Sequence, residues 1–316
     1  MWTRIIPFVF VVLWATGFIF SKIVASDAEP FTFLVLRFGL TAAILGTVAL
    51  LLKLDWPGRR AAMHATVAGA LIHGVYLGPI FWAISRGMSS GIAALIVSTQ
   101  PILTAMIVPR LIGERVGLRH WAGLMIGLAG VVLVLLPKFE AGTADADPVT
   151  VAASVIALLG ITFGQIYQKR FATDLDLRTG GAWQFLGAFV LMALCALLFE
   201  DWRIRWTGEL VFALAWLVFV MSIGAVTLLM IMIREGAISQ VAACFFLVPP
   251  VTALMAYGLF GERLDGLQIL GMALTSAGVL ITGRASAAAV PKVALAKGTP
   301  AEGAPASVID RTPHGR

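Results

Sequence analysis

Charged residues are scarce in this chain of 316 residues. Asp, Glu, Lys and Arg make up 13% of it, against 59% for apolar residues, whereas a soluble domain is about a quarter charged. The charges fall in short segments between long apolar stretches, a pattern typical of a polytopic helical membrane protein. The net charge of +6 does not predict a nucleic-acid partner, because loop Lys and Arg residues set the topology of such a protein.

Cysteine and histidine are also rare. The two cysteines, Cys195 and Cys244, lie in apolar stretches without metal-ligand spacing and are interpreted as small buried apolar residues. Only four histidines occur, and none belongs to a cluster of nucleophiles or carboxylates. The sequence therefore predicts no catalytic residue, metal or cofactor, and it disfavours a membrane-embedded enzyme that modifies lipids.

The apolar stretches are about 20 residues long, which matches a hydrocarbon core of about 30 Å. We expect ten spans, numbered 1 to 10 in chain order, in an all-α polytopic membrane protein. Their predicted ranges are 5–24, 31–52, 62–84, 89–109, 119–137, 149–168, 180–199, 209–233, 238–260 and 265–283.

The second half of the chain repeats the first. A shift of 148 residues superimposes Arg86, Pro101, Gly113, Glu114 and Gly130 on Arg234, Pro249, Gly261, Glu262 and Gly278. Five spans are an odd number, so the second copy enters the membrane in the opposite sense. The sequence thus predicts two inverted five-helix repeats, residues 1–137 and 149–284, an organisation typical of transporters whose site opens to either side in turn.

Loop charges predict the orientation. Most of the 23 Lys and Arg residues fall on the side of both termini, so both termini are expected in the cytoplasm and the protein in the cell inner membrane. Residues 285–316 lose the apolar pattern and become rich in Ala, Pro and Gly. That composition is typical of a disordered tail.

Spans 4 and 9 are predicted to bend. Pro101, Pro249 and Pro250 lie near mid-membrane, where a proline frees a backbone carbonyl and kinks the helix. A gating role beside the substrate and a purely structural kink are equally open from the sequence.

Polar and aromatic residues at membrane depth are the candidates for a substrate site, since such groups tend to face the interior. A hydrogen bond between helices is the alternative for each of them. The candidates are Trp14, Gly17, His73, Tyr76, Ser98, Gln165 and Gln168.

Arg37 is the strong charge predicted well inside a span, and Lys22 ends span 1 close enough to join it. Arg37 is expected to extend to the interface, to bind a carbonyl, or to meet a substrate carboxylate, with a structural role favoured. No Asp or Glu lies deep in a predicted span. A lipophilic cation is therefore a poorer substrate candidate than a zwitterionic, neutral or anionic metabolite.

Small residues recur at close-packing spacing in spans 5 and 10, where Gly123, Gly127 and Gly130 have Gly271, Thr275 and Gly278 as counterparts. Such spacing predicts close helix packing. The paired glutamates, Glu114 and Glu262, end spans 4 and 9 and are expected to cap or brace helices.

Three segments resemble the EamA branch of the drug/metabolite transporter superfamily. They are LWATGFIFSKIVASDAEPFTFLVLRF at 13–38, QPILTAMIVPRLIGERVGLRHWAGLMIGLAGVVLVL at 100–135 and PPVTALMAYGLFGERLDGLQILGMALTSAGVLI at 249–281. The resemblance implies ten helices around a central cavity lined mainly by spans 1, 3, 4, 6, 8 and 9. It also extends to the YddG-type amino-acid exporters.

The expected function is alternating-access export of a small metabolite. The substrate implied by the resemblance is an amino acid, with aromatic or other large hydrophobic ones favoured. The expected partners are this small molecule and the lipid bilayer, and the protein is expected to be a monomer. Export or import of another neutral or anionic metabolite or drug is the alternative, and a lipid-modifying enzyme or a non-transporting sensor subunit is the alternative of a different class.

Overall fold

A computed structural model describes residues 2–140, 147–260 and 264–289, and these residues form a bundle of ten helical spans. Among them, nine helices are long and apolar enough to cross a membrane, and the first contains the shorter apolar stretch Ile5–Gly17. The prediction of an all-α, ten-helix membrane protein is confirmed. In the order of the predicted spans, the observed bounds are Trp2–Asp27, Pro30–Leu51, Arg59–Ser85, Ser90–Leu111, Leu118–Glu140, Pro148–Phe171, Leu177–Phe199, Gly208–Glu235, Ile238–Phe260 and Gly266–Ala289.

Spans 4 and 9 are interrupted where their prolines predict. In span 4, helix Ser90–Val97 ends and helix Gln100–Leu111 begins with Pro101 in its first turn. In span 9 the helix narrows to a 3₁₀ segment over Cys244–Leu247, just before Pro249 and Pro250. A proline lacks the N–H that would bond the carbonyl four residues earlier, so each break follows from the missing donor.

Spans 3 and 8 contain π-helical segments that the sequence does not predict. They cover Ala70–Val75 and Leu217–Ala225. The repeat shift of 148 residues places the first segment at 218–223, within the second. A π segment inserts an extra residue into the helix and turns the following side chains to a new direction, and such segments are common at functional sites. Here they carry His73, which lines a cavity described below, and Ser222, which accepts a hydrogen bond from an arginine of that cavity.

Equivalent helices of the two halves pack together and run antiparallel. Between spans 5 and 10, a Cβ placed on Gly123 would lie 2.7 Å from the Gly278 carbonyl oxygen, whereas one on Gly271 would lie 2.7 Å from that of Gly130. Spans 2 and 7 behave alike, because Phe31 meets Phe199 and Phe38 meets Phe185. Rising numbers on one helix meet falling numbers on its equivalent, as the predicted inversion requires. The expectation of close glycine packing is confirmed.

Hydrogen bonds between the halves hold both ends of the bundle. At the end that we call the Asp27 face, Asp27 bonds Arg205 and Thr207, and the backbone N–H groups of Phe31 and Thr32 donate to Glu200 at 2.8 and 2.7 Å. These contacts join the loop between spans 1 and 2 to the loop between spans 7 and 8.

The other end, which we call the Glu114 face, is closed by a carboxylate at a helix start. Glu114 accepts from the backbone N–H groups of Ile238 and Ser239 at 3.0 and 3.1 Å, and from the Ser239 hydroxyl. These are the first residues of span 9, where a negative charge is favoured by the helix dipole and the unbonded N–H groups. The expectation that this glutamate caps a helix is confirmed, whereas Glu262 lies outside the described residues.

A second carboxylate on the Glu114 face makes its described hydrogen bonds within its own helix. Asp176 caps span 7 by accepting from the N–H groups of Arg178 and Thr179. Hydrogen bonding to the Arg178 side chain, together with these N–H groups, lowers the pKa of Asp176 to about 2. The two carboxylates of this face thus differ in function, since Glu114 joins the halves of the protein and Asp176 does not.

Part of the predicted tail lies outside the described residues, which end at 289. Span 10 continues as a helix to Ala289, past residue 285 where the sequence places the start of the tail. The side chain of Lys22 also lies outside the described part of the chain.

Candidate functional site

A first cavity lies between the halves and extends from mid-membrane towards the Asp27 face. It provides about 610 Å³ of void space, part of it open to the outside. It is lined by Trp14 of span 1, Tyr76 of span 3, Ser98 of span 4 and Thr252 of span 9. The other lining residues are Gly91, Ala94, Val97, Val134, Leu135, Phe245, Val248, Pro249 and Ala253.

Three aromatic rings close the end of this cavity that points towards the Glu114 face. Trp14 lies 5.1 Å from Phe10 and 5.4 Å from Phe245, and Phe10 lies 5.4 Å from Phe245, all between ring centroids. Phe10 is fully buried. Edge-to-face and tilted contacts of this kind stabilise aromatic clusters beyond their buried area. Phe10 lies one helical turn before Trp14 on span 1, so the cluster lies on the Glu114 side of the cavity.

A second cavity adjoins the first and contains a buried cation. It provides about 510 Å³ and is lined by Gly17, Ser21, Arg37, His73 and Met221, together with Trp14 and Tyr76. Arg37 and His73 are 3% and 1% exposed. Nε of Arg37 donates to the Ser222 hydroxyl at 3.0 Å, and the His73 ring stacks on Phe185 with centroids 4.5 Å apart.

Trp14 and Tyr76 belong to both cavities and separate them. Their rings lie nearly parallel, with an interplanar angle of 11° and centroids 6.5 Å apart. Parallel ring faces are favourable surfaces for an aromatic or aliphatic group. The first cavity is mostly apolar and the second contains the cationic Arg37, so these two rings border both kinds of surface.

The structure brings most of the predicted site residues together. Trp14, Tyr76, Ser98 and Pro249 line the first cavity. The second contains Gly17, Arg37 and His73, in addition to the shared Trp14 and Tyr76.

Four predicted residues lie elsewhere in the interior. Gln165 accepts a hydrogen bond from Gln100 Nε2 at 3.1 Å, and Gln168 is 2% exposed. Neither lines these two cavities, and the same holds for Pro101 and Pro250. Gln165 thus makes a hydrogen bond to a side chain of span 4. A hydrogen bond between helices is the alternative that the sequence leaves open for each polar group.

Phe245, Val134 and Leu135 line the first cavity but are not among the predicted site residues. Phe245 lies in the 3₁₀ segment of span 9, and its one signal is an aromatic ring one helical turn before Pro249. Val134 and Leu135 bring span 5 to the cavity, although the family resemblance assigns the lining mainly to six other spans. An aliphatic residue in an apolar span carries no mark in the sequence that distinguishes cavity from lipid.

Two inverted halves around a shared cavity are typical of a membrane transporter. The sequence comparisons agree with this class. The profile of the EamA-like transporter family matches residues 1–136 and again residues 149–284, so the chain belongs to that family, which lies within the drug/metabolite transporter superfamily.

Curated relatives are similar over most of the chain. An uncharacterized inner membrane transporter of Escherichia coli strain K12, YedA, is 27% identical over 277 residues, which are 87% of this chain and 89% of YedA. A protein of the same strain described as a "Probable amino-acid metabolite efflux pump" is 26% identical over 282 residues, 86% of this chain and 91% of that protein. One solved structure superposes with a TM-score of 0.74 at 21% identity, over 90% of this chain and 97% of its own, and supports the fold alone.

Proposed function

We propose that this transporter exports amino acids, with aromatic and other large hydrophobic ones preferred. The observation that carries the proposal is the first cavity, where Trp14, Tyr76 and Phe245 offer aromatic surfaces beside the hydroxyls of Ser98 and Thr252. Apolar walls with a few polar groups are typical of a site for a small, partly apolar ligand. The distant relative described as an amino-acid metabolite efflux pump supports the same substrate class.

The proposed mechanism is alternating access by a monomer in the cytoplasmic membrane. The halves 1–137 and 149–284 are its two repeats, and the interrupted spans 4 and 9 are its gating elements. With both termini in the cytoplasm, the Glu114 face is cytoplasmic, and the described conformation is closed to the cytoplasm. Release of the contacts of Glu114 would admit substrate to the aromatic cluster from that side.

Transport in proteoliposomes tests the proposal. Purified full-length protein is reconstituted into vesicles loaded with radiolabelled phenylalanine. Its efflux is compared with that from loaded vesicles without protein and from loaded vesicles that contain the Trp14→Ala variant. We expect efflux above that of the protein-free vesicles and a slower efflux with the variant. No efflux above that of the protein-free vesicles for phenylalanine, tyrosine, leucine or methionine would contradict the proposal.

Orientation is tested separately. Single cysteines are introduced at residue 3 and residue 312 in a chain whose native cysteines are replaced, and intact cells are treated with a membrane-impermeant maleimide. Both positions are expected to react only after the membrane is permeabilised. Reaction of either one in intact cells would overturn the assignment of the termini.

A further inference from the structure

Arg37 is a buried cation with few partners in the middle of a membrane span. Its one hydrogen bond in the described structure runs from Nε to Ser222 at 3.0 Å, and its Cζ lies 5.6 Å from the ring centroid of Phe38. None of the three ion pairs among the described residues includes it. A guanidinium has five N–H donors, and leaving them unused at membrane depth is costly.

The surroundings of Arg37 supply no negative charge from the described residues. The second cavity is lined there by aliphatic and aromatic residues, Ser21 and His73, without a carboxylate. Nε2 of His73 is itself buried without a hydrogen-bond partner among the described atoms, and the Gln184 side chain lies close to the His73 ring. Arg37 and His73, both at least nine-tenths buried, therefore border the same void, and Arg37 does so with N–H donors that no described residue uses.

An anionic ligand group satisfies both the charge and the geometry. The planar fork of a guanidinium binds a carboxylate through two parallel N–H···O bonds, and such charge-assisted bonds are the stronger ones. The Ser222 hydroxyl accepts from Arg37 Nε at 3.0 Å and so holds the guanidinium in place, without lining the cavity itself. Glu114 and Asp27 bond residues at the two faces and line neither cavity.

The first cavity accounts for the rest of such a ligand. It meets the second at Trp14 and Tyr76, so a molecule with its charge at Arg37 extends its apolar part past these two rings. No described residue that lines either cavity is acidic, so an ammonium group would find hydroxyls and carbonyls but no counter-charge. The site thus distinguishes the two charges of an amino acid.

We propose that Arg37, positioned by Ser222, forms the carboxylate-binding part of the substrate site, and that the α-amino group contributes little to recognition. This deepens the proposed function, on which it rests. The substrate class becomes organic monocarboxylates with an apolar side chain, which includes hydrophobic amino acids but is not restricted to them. Amines that lack the carboxylate are excluded.

Three matched compounds test the proposal with the purified full chain. L-Phenylalanine has both charged groups, 3-phenylpropionate lacks the amino group, and phenethylamine lacks the carboxylate. Each is measured by thermal shift in detergent, because a ligand of the folded state raises the melting temperature, and by competition against phenylalanine efflux. The first two compounds are expected to stabilise and to compete, and phenethylamine to do neither. Binding of phenethylamine as tight as that of 3-phenylpropionate would overturn the proposal, as would failure of 3-phenylpropionate to bind.

Substitution of Arg37 then separates a binding role from a structural one. Arg37→Gln removes the charge and is expected to lower the affinity for 3-phenylpropionate about ten- to a hundredfold. Arg37→Lys keeps the charge without the planar guanidinium and is expected to lose less affinity. The matched control is Arg110→Gln, because Arg110 lies at the exposed end of span 4 and bonds only its own helix, and it should bind as the unmodified protein does.

The outcomes distinguish this proposal from the proposed function. A folded Arg37→Gln protein that binds 3-phenylpropionate with unchanged affinity refutes the carboxylate site, while phenylalanine efflux would still support amino-acid export. Conversely, Arg37-dependent binding of 3-phenylpropionate without efflux of any amino acid keeps the carboxylate site and refutes amino-acid export. If Arg37→Gln does not fold, Ser222→Ala is used, and an unchanged affinity in that variant and in Arg37→Lys refutes the proposal.

Discussion

At the scale of single residues, Trp14 contributes to more of the site than any other side chain that we describe. It lines both cavities, contacts Phe10 and Phe245, and lies parallel to Tyr76. The sequence identifies Trp14 as a site candidate because it is an aromatic residue with a polar N–H group inside a predicted span. The sequence cannot indicate that one indole separates two cavities, because that depends on helices from both halves.

Replacing Trp14 is expected to weaken the binding of aromatic amino acids. Trp14→Ala removes a ring face worth about 0.5–1.5 kcal/mol, so affinity for phenylalanine should fall about two- to tenfold, whereas Trp14→Phe should retain most of it. Thermal-shift titration measures the change. Trp206→Ala is the control, since Trp206 is 60% exposed; an equal loss there would refute a specific role for Trp14.

Substitution of Glu114 is expected to change the accessibility of the first cavity from the Glu114 face. Glu114→Gln removes the charge from three hydrogen bonds that hold the start of span 9. A loss of about 1–2 kcal/mol would shift the balance between closed and open states about five- to thirtyfold. A cysteine placed at the cavity residue Ser98, in a chain without native cysteines, should then react faster with an impermeant maleimide supplied from the Glu114 face.

The control for this experiment is Asp176→Asn. Asp176 lies on the same face, but its described hydrogen bonds are confined to span 7. Its loss should leave the labelling rate at residue 98 unchanged. Equal acceleration in both variants would mean that charge at this face, rather than the bond between the halves, controls access.

At the scale of helices, the sequence predicts the breaks that have a covalent cause and misses the others. Pro101 and Pro249 lack a donor, and the interruptions of spans 4 and 9 follow from that absence. The π segments of spans 3 and 8 leave no such mark, since each needs only an extra residue in an apolar helix and depends on neighbours for its stability. The placement of His73 beside Arg37 was therefore beyond what spacing along span 3 predicts.

The glycine contacts of spans 5 and 10 predict that replacing one of these glycines by alanine lowers the stability of the protein. A Cβ on Gly278 would lie 2.5 Å from the backbone nitrogen of Gly127, so Gly278→Ala must separate two backbones. We expect it to cost about 1–3 kcal/mol, in line with overpacking in cores. The melting temperature in detergent measures the effect.

Gly117→Ala provides the comparison for Gly278→Ala. Gly117 precedes span 5, and a Cβ there would meet nothing within 4 Å. The melting temperature of Gly117→Ala should match that of the unmodified protein. If the two variants melt alike, close approach of the backbones is not what holds spans 5 and 10 together.

At the scale of the whole molecule, the repeat in the sequence was sufficient to predict the architecture. An odd number of spans per copy requires the second copy to be inverted, and the antiparallel contacts of spans 2 with 7 and 5 with 10 agree with it. The depth and direction of the cavities were not predictable, because they depend on contacts between helices of both halves and on a few hydrogen bonds at the two faces. The composition of the spans does not specify these contacts.

The glycine grooves of spans 5 and 10 have a further consequence. Each groove is filled by a helix encoded in the other half, so neither half buries its own surface when it is alone. If translation is split between residues 140 and 147, the two fragments should recognise each other within the bilayer and reassemble without a covalent connection. Affinity purification of one tagged fragment should then retrieve the other, and Gly278→Ala in the second fragment should reduce its recovery.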